Sequence, residues 1–267
     1  MTTGPVRIER EGGVAVVTLN LPEKRNALTV ELKTALRDAL ADVADDGGVR
    51  AVVLAAEGPA FSVGQDLAEH AEALRGGGDA AFATVREHYS PIIRSLLAMP
   101  KPVIAAVAGT CVGAGLGLAL AADHRVFAAG VKLGTAFSGI GLTFDSGLSF
   151  TLPRAVGDAR TRELMLFPQV FTAEEGIAWG IAGETVDAEA GPGAVLDRAR
   201  ELAAALAAGP TLAFAETKRL LLENSGADLD AALEAEAVAQ ARCGSTRDHA
   251  GALAAFLARE RPVFTGA

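Results

Sequence analysis

"KPVIAAVAGTCVGAGLGLALAAD", residues 101–123, packs a stop, a strand, a tight joint and a helix start into one short stretch. The Lys-Pro pair ends whatever helix precedes it, because proline lacks an N–H and disfavours helical geometry in the residue before it. "VIAAVAG" reads as a short buried strand, and "VGAGLGLALAA" as a helix opened by glycines. The joint carries the chemistry. The first N–H groups of a helix have no intrahelical acceptor, and the positive end of the helix dipole lies behind them. "FSVGQDL", residues 61–67, repeats the geometry, with a glycine loop immediately before a second helix. One such start can bind an anion. Two converging on one point can bind an oxyanion that develops during reaction. The same segments also satisfy a plainer reading, in which glycines only allow tight strand–helix turns.

A dinucleotide fold is the sharper rival, since Gly113, Gly115 and Gly117 follow a strand and open a helix. Its fingerprint needs the third glycine one position later, where this chain has Leu118. It also needs an acidic residue about 20 positions on to hold the ribose, and there the chain reads "GTAFSG". No G-x-S-x-G elbow and no phosphate-binding G-x-x-x-x-G-K-[ST] loop occurs.

Working outward, "VRIER" and "VAVVTLNL" flank a Gly-Gly turn and read as a hairpin with β-branched residues on a buried face. "LPEKRNAL" is a polar loop. Thr29 caps a helix on which Leu32, Leu36, Ala39, Leu40 and Val43 recur at helical spacing, and "DDGG" ends it. "VRAVVLAAE" is a buried strand, "GPAFSVGQDL" a loop entering a helix with Asp66 in its first turn, and "RGGGD" a flexible insert. A further helix runs to about Met99, and "HRVFAAGVKLG" is a strand or strand pair. Beyond Ser146 the chain reads as helical, with four amphipathic stretches after "GETVD". No regular repeat appears. Composition shifts near residue 195, so the expected organisation is a β/α core over 1–195 and a helical region over 196–267. That region either folds back on the core or packs against a partner subunit.

The totals narrow the function. The chain has 267 residues, half of them hydrophobic, with a mean hydropathy of +0.30, so a full core is available. Its apolar runs are too short to span a bilayer. The start, "MTTGPVRIEREGGV", lacks the apolar stretch of a signal peptide, which points to the cytoplasm. Cys111 and Cys243 read as two reduced thiols, and His70, His88, His124 and His249 form no metal-ligand motif. A net charge of −9 disfavours general nucleic-acid binding, though not a phosphate-bearing small ligand held by a few local cations.

"SGIGLTFDSGLSF", residues 138–150, holds one ionisable side chain, Asp145. Read alone, it favours a cap for the helix that follows.

Taken together, "LNLPEKRNAL", "GPAFSVGQDL", "KPVIAAVAGTCVGAGLGLALAAD", "IGLTFDSGLSFTLPRAVG" and the closing "ARERPVFTG" resemble the enoyl-CoA hydratase/isomerase (crotonase) superfamily, in order and over nearly the whole chain. The resemblance implies an α/β fold with a ββα-spiral core, a helical C-terminal trimerisation region, and homotrimers that often pair into hexamers. It implies an acyl-CoA thioester as substrate, with coenzyme A part of that substrate and no metal or redox cofactor. By the family pattern, the backbone N–H groups of Gln65 and Ala114 form the oxyanion hole. The loop with Lys24, Arg25 and Ala27, and the turn from Gln65 through Asp66 to Leu67, line the CoA nucleotide. Gly113 and Phe137 complete the substrate-binding set.

The departures from the pattern are informative. Hydratases of this family carry two glutamates, which fall here at Gly117 and Phe137, so neither acid nor base is present at those positions. Asp145 instead matches the aspartate that isomerases of the superfamily set over the substrate α and γ carbons. "HYSPIIRSLLAMPKP" with "FSGIGLTFDSG" looks most like the phenylacetate-pathway isomerase branch, which acts on 2-(oxepinylidene)acetyl-CoA and 3-enoyl-CoA. Phe137, Leu142 and Phe144 are expected to raise the aspartate pKa by desolvation. Isomerisation is therefore the expected activity, and enoyl-CoA hydration with Asp145 as lone acid/base the main alternative. An aryl-CoA dehalogenase or thioester hydrolase would use Asp145 as nucleophile and a histidine on the preceding helix. That position is Ser90, and His88 lies two residues earlier, about 200° away around a helix. A non-catalytic CoA-thioester-binding protein is the remaining alternative.

Overall fold

The computed structural model describes residues 4–167, 169–187, 190–191 and 193–267. β1 (Val6–Glu11) and β2 (Val14–Leu19) form the antiparallel hairpin around Gly12 and Gly13, whose φ values of 56° and 80° suit the turn. β2 then pairs in parallel with β3 (Ala51–Ala56), which pairs with β5 (Val103–Val107), then β7 (His124–Ala128), then β10 (Glu184–Val186). Every new strand joins the same edge. A doubly wound sheet reverses its order at a switch point, where a dinucleotide binds. This order, β1-β2-β3-β5-β7-β10, never reverses.

A second sheet runs alongside the first. β4 (Ala60–Ser62), β6 (Thr110–Val112) and β8 (Lys132–Gly134) pair in parallel, and β9 (Val170–Thr172) closes it antiparallel to β8. The chain therefore repeats one unit: a strand in the large sheet, a strand in the small sheet, then helix. The helical parts are α2 (Leu67–Arg75), α3 (Gly78–Thr84) and α4 (Ser90–Ala98) in the first unit, α5 (Ala114–Ala121) in the second, and α6 (Leu148–Leu166) in the third. This is the ββα spiral that the resemblance implies.

α1 (Val30–Asp45) enters the core as its periodicity predicts. Thr29 Oγ1 accepts from the Leu32 N–H, and Leu32, Leu36, Ala39, Leu40 and Val43 are all buried. β2 departs from the one-faced expectation, because all six of its residues are buried. Ala15, Val17 and Leu19 face the main core, while Val14 and Val16 face a second cluster built on α8 (Ala194–Ala207). Val195, Ala199, Ala203 and Ala207 recur every fourth residue, a narrow stripe of small side chains that lets α8 lie close on the sheet.

The helix read as running to about Met99 does end there, with Met99 as its C-cap, and is built of α3, a π-helical turn at Val85–Tyr89, and α4. Two other expectations are corrected. The stretch beyond Ser146 is not helical throughout, since β9 and β10 interrupt it. Asp66 is not inside the first turn of α2 but caps it, accepting from the Ala68 and Glu69 N–H groups at 3.0 Å each.

After α7 (Ala173–Trp179) and α8 come α9 (Thr211–Glu223), α10 (Leu229–Gly244) and α11 (Arg247–Ala258). Among the described residues, no helix is long and apolar enough to cross a membrane.

The second glycine-opened helix, α5, is wholly buried, so its last carbonyls need an internal partner. Arg125 on β7 supplies it, donating to the carbonyls of Ala119 (2.8 Å), Leu120 (2.9 Å), Ala122 and, beyond the helix, Ala182 (3.0 Å). Burial pulls this guanidinium down to about 10, so it stays charged at neutral pH. Arg125→Leu would leave these acceptors unpaired in the interior. The expected loss is on the order of 3 kcal/mol or more in urea unfolding. Arg125→Lys should restore only part of it, because an ammonium cannot reproduce the planar fork. A midpoint unchanged in Arg125→Leu would show that α5 is held by packing alone.

Candidate active site

The two glycine loops meet. Gly113 adopts φ 57° and ψ −129°, a glycine conformation, and its N–H is fixed by the Gly134 carbonyl at 3.0 Å. Gly64, at φ +82°, lies so close that a Cβ on it would sit 3.3 Å from the Ala114 nitrogen. A Cβ on Gly115 would come within 2.6 Å of the Ser62 carbonyl oxygen, so α5 abuts β4 backbone to backbone. On the other loop, the Leu28 N–H binds the Gly64 carbonyl at 2.8 Å, and Leu28 bridges Gln65 in parallel register. The N–H groups of Gln65 and Ala114 have no backbone acceptor among the described residues. Gln65, Gly113 and Ala114 line one cavity of about 140 Å³. Its remaining wall is largely apolar, from Leu67, Phe82, Val85, Phe137, Ile140 and Leu142.

Asp145 lines the same cavity. It does not cap α6: the N-cap is Gly147, which makes no side-chain cap bond, and Asp145 receives the Leu148 N–H on its main-chain carbonyl at 3.0 Å. Its carboxylate takes the Ser146 hydroxyl at 2.8 Å. Burial raises this carboxyl above the ordinary aspartate value, while the Ser146 hydrogen bond and the Lys33 ammonium pull the other way and lose. Asp145 and the two helix-start loops thus border one largely apolar cavity, a setting in which a carboxylate can exchange a proton with carbon while free N–H groups bind the resulting oxyanion. Phe137 and Leu142 share the cavity, whereas Phe144 packs partly buried against the core.

The remaining sequence-derived positions lie beside the cavity rather than in its wall. Lys24 Nζ stands 3.5 Å from Asp66 Oδ2 and is half exposed, which ties the two loops together. The Glu69 N–H, with Lys24 and the Ala68 N–H assisting, holds the Asp66 carboxyl below its usual value against burial. Arg25 is exposed, with φ 53°, and Ala27 is buried behind it. His88 faces Thr84 Oγ1 at 3.2 Å through Nδ1, and of the two only Thr84 lines the cavity.

Position 117 is sterically closed. A Cβ on Gly117 would stand 2.5 Å from the Ser146 carbonyl oxygen and 2.6 Å from its Cβ. The residue after Asp145 thus occupies the space in which a side chain from α5 would begin.

Sequence reasoning missed a second polar group at this site. Lys33 is fully buried, yet its ammonium donates to Gln65 Oε1 at 3.1 Å and to Thr84 Oγ1 at 2.6 Å. The Tyr89 hydroxyl donates to the same Gln65 oxygen, and Tyr89 lines the cavity. A signal for Lys33 existed, because it falls in phase with Leu36 and Leu40 on the apolar stripe of α1. Tyr89 had none, since its direction depends on the π turn. Among the described residues, no three His, Cys, Asp or Glu side chains are grouped as metal ligands.

Comparison with known proteins agrees with the fold. The family model for enoyl-CoA hydratase/isomerase matches residues 9–267. A 1,2-epoxyphenylacetyl-CoA isomerase of Escherichia coli is 36% identical over 96% of both chains. A Rhodobacter capsulatus protein named "Probable enoyl-CoA hydratase" is 38% identical over the full length of both. A solved structure from Mycobacterium abscessus, described under the double heading enoyl-CoA hydratase/isomerase, is 48% identical. It superposes with a TM-score of 0.92, covering 98% of this chain and all of that one.

Proposed function

The chain belongs to the enoyl-CoA hydratase/isomerase family, and within it we propose that this protein is an acyl-CoA isomerase that moves a double bond relative to the thioester. The observation that carries the reading is one carboxylate, Asp145, in a largely apolar cavity that Gln65 and Ala114 also line, with the N–H groups of those two residues free of any backbone acceptor among the described residues. In a 3-enoyl-CoA, Asp145 removes a proton from C2. The C–H electron pair moves into the conjugated system, and the negative charge reaches the thioester oxygen, where the two N–H groups bind it. The protonated aspartate then delivers that proton to C4, the electrons return, and a 2-enoyl-CoA results. No atom is gained or lost, so one carboxylate suffices. The apolar wall keeps out water that would quench the dienolate. An oxepinylidene-acetyl thioester is a second candidate substrate, and the Escherichia coli relative, named for isomerising 1,2-epoxyphenylacetyl-CoA, supports isomerisation of a CoA thioester in this family.

Coenzyme A enters as part of the substrate, with the Lys24–Ala27 loop and the Gln65–Leu67 turn at its nucleotide. We place the enzyme in the cytoplasm as a homotrimer or a pair of trimers. Leu229, Leu233, Phe256 and Leu257 of α10 and α11 are more than half exposed in the single chain, and a partner subunit would cover them. Hydration is the second reading, favoured by the names of several relatives. It lacks a second acid or base at Gly117 and Phe137.

Incubation of 3-hexenoyl-CoA with enzyme in D₂O separates the two. Isomerisation should convert it to 2-hexenoyl-CoA of the same elemental composition apart from exchanged deuterium. If 3-hexenoyl-CoA survives while 2-hexenoyl-CoA is turned into the 3-hydroxy thioester, the isomerase assignment fails and hydration takes its place.

A further inference from the structure

Lys33, Thr84 and Tyr89 take no proton in the scheme above, yet Lys33 and Tyr89 come from separate elements to meet Gln65, and Thr84 holds Lys33 from a third. Lys33 projects from α1, Thr84 ends α3, and Tyr89 ends the π turn. Burying an ammonium is costly unless hydrogen bonds and charge offset the lost hydration. Here Gln65 Oε1 and Thr84 Oγ1 take two of its donors, and the Tyr89 ring face lies 5.1 Å from Nζ. The Gln65 amide oxygen has two lone pairs, and both are in use, one by Lys33 and one by Tyr89. An amide gripped from two sides has little freedom to turn. The π turn serves the same end, since such turns re-aim side chains at functional sites, and this one places the Tyr89 hydroxyl on Gln65.

We infer that Lys33 and Tyr89 are positioning residues, which clamp the Gln65 side chain so that its backbone N–H stays aimed at the thioester carbonyl. This rests on the reading in which Gln65 N–H binds that carbonyl. Three carboxylates surround Lys33. Glu69 and Asp66 of the α2 start and Asp145 across the cavity favour its charged form, although burial outweighs them and lowers its pKa. Burial also pushes the Tyr89 phenol up, so it remains a donor throughout the working pH range.

The test reads the carbonyl directly. The probe is hexanoyl-CoA labelled with ¹³C at C1, which lacks a double bond to move, and the observable is the ¹³C shift of the bound carbonyl. Wild type should displace it downfield of the free thioester. Tyr89→Phe, which keeps the ring, and Lys33→Met, which keeps the length, should both return it toward the free value. Isomerisation kcat should fall about 10-fold in the first and about 10²-fold in the second, with KM nearly unchanged, because one oxyanion donor is worth about 10²–10³. In a Gln65→Leu background, adding Tyr89→Phe should change the shift no further.

If both variants keep the wild-type shift and kcat while only their melting temperature drops, the clamp is merely structural and the inference is overturned. A wild-type carbonyl with no displacement removes the oxyanion site and the clamp together. A displaced carbonyl that the variants lose, in an enzyme that isomerises nothing, keeps the clamp and sinks the isomerase reading alone.

Discussion

Asp145→Asn is expected to lose isomerisation by about 10³-fold while becoming more stable than the parent at neutral pH. The activity term follows from chemistry, since a positioned acid–base group contributes about 10²–10⁴ and an amide can neither take nor return the proton. The substitution keeps size and shape, and an Asn oxygen can still accept from Ser146, so thioester binding should persist. The stability term follows from the sign of the shift. Burial raises the Asp145 carboxyl in the folded state above its ordinary value. Folding therefore favours the protonated form, and this contribution is present in acid and lost as pH rises through the raised pKa. Above that raised pKa the folded protein carries a carboxylate it disfavours, and the neutral Asn variant does not. The gap in melting temperature should close on acidification below the carboxylate range. The same raised value sets the activity profile: kcat should fall as pH drops through it, at a higher pH than an exposed aspartate would give. A variant that is inactive and also less stable at pH 7 would mean that Asp145 is a structural residue whose charge the fold needs.

Much of this could be read locally. α1 announces itself by a stripe and a cap, and both glycine loops by their place before helices, because those signals involve residues only a few positions apart. What the sequence leaves unread depends on distant pairing. β9 and β10 have three residues each and exist because β8 and β7 offer open edges. The small-residue stripe of α8 looks like one more tail helix until the far face of the sheet supplies its partner. At the site the pattern repeats. Asp145 is visible as a lone charge among apolar residues, but whether it caps or reacts turns on the φ angles of the next two residues. Ser146 at +49° and Gly147 at +72° carry the chain past the helix start and leave the carboxylate to the cavity. Phe144 is adjacent in sequence and packs toward the core instead.

Those two turn residues also explain why a hydratase should not be recoverable by restoring glutamates. Gly117→Glu, alone or with Phe137→Glu, is expected to yield no 3-hydroxyacyl-CoA from a 2-enoyl-CoA and to lose isomerisation. The obstacle precedes the carboxylate, because any Cβ at 117 lies 2.5 Å from the Ser146 carbonyl oxygen, and backbone must move to admit it. Gly117→Ala is therefore the decisive comparison, since it adds the clash without adding a charge. Overpacking of this kind costs about 1–3 kcal/mol, to be read from the urea midpoint. Its larger effect falls on activity. Ser146 is bonded to Asp145 through both the chain and its hydroxyl, so a displaced Ser146 carries the base with it. A misplacement near 1 Å costs about 10²-fold in rate, and Gly117→Ala should fall by roughly that factor in kcat while the distant CoA loops still bind. Should Gly117→Glu instead fold with the parent's midpoint and hydrate 2-hexenoyl-CoA, the turn is adaptable. Position 117 would then say nothing about which reaction the cavity performs, and the case for a single-carboxylate isomerase would rest on Asp145 alone.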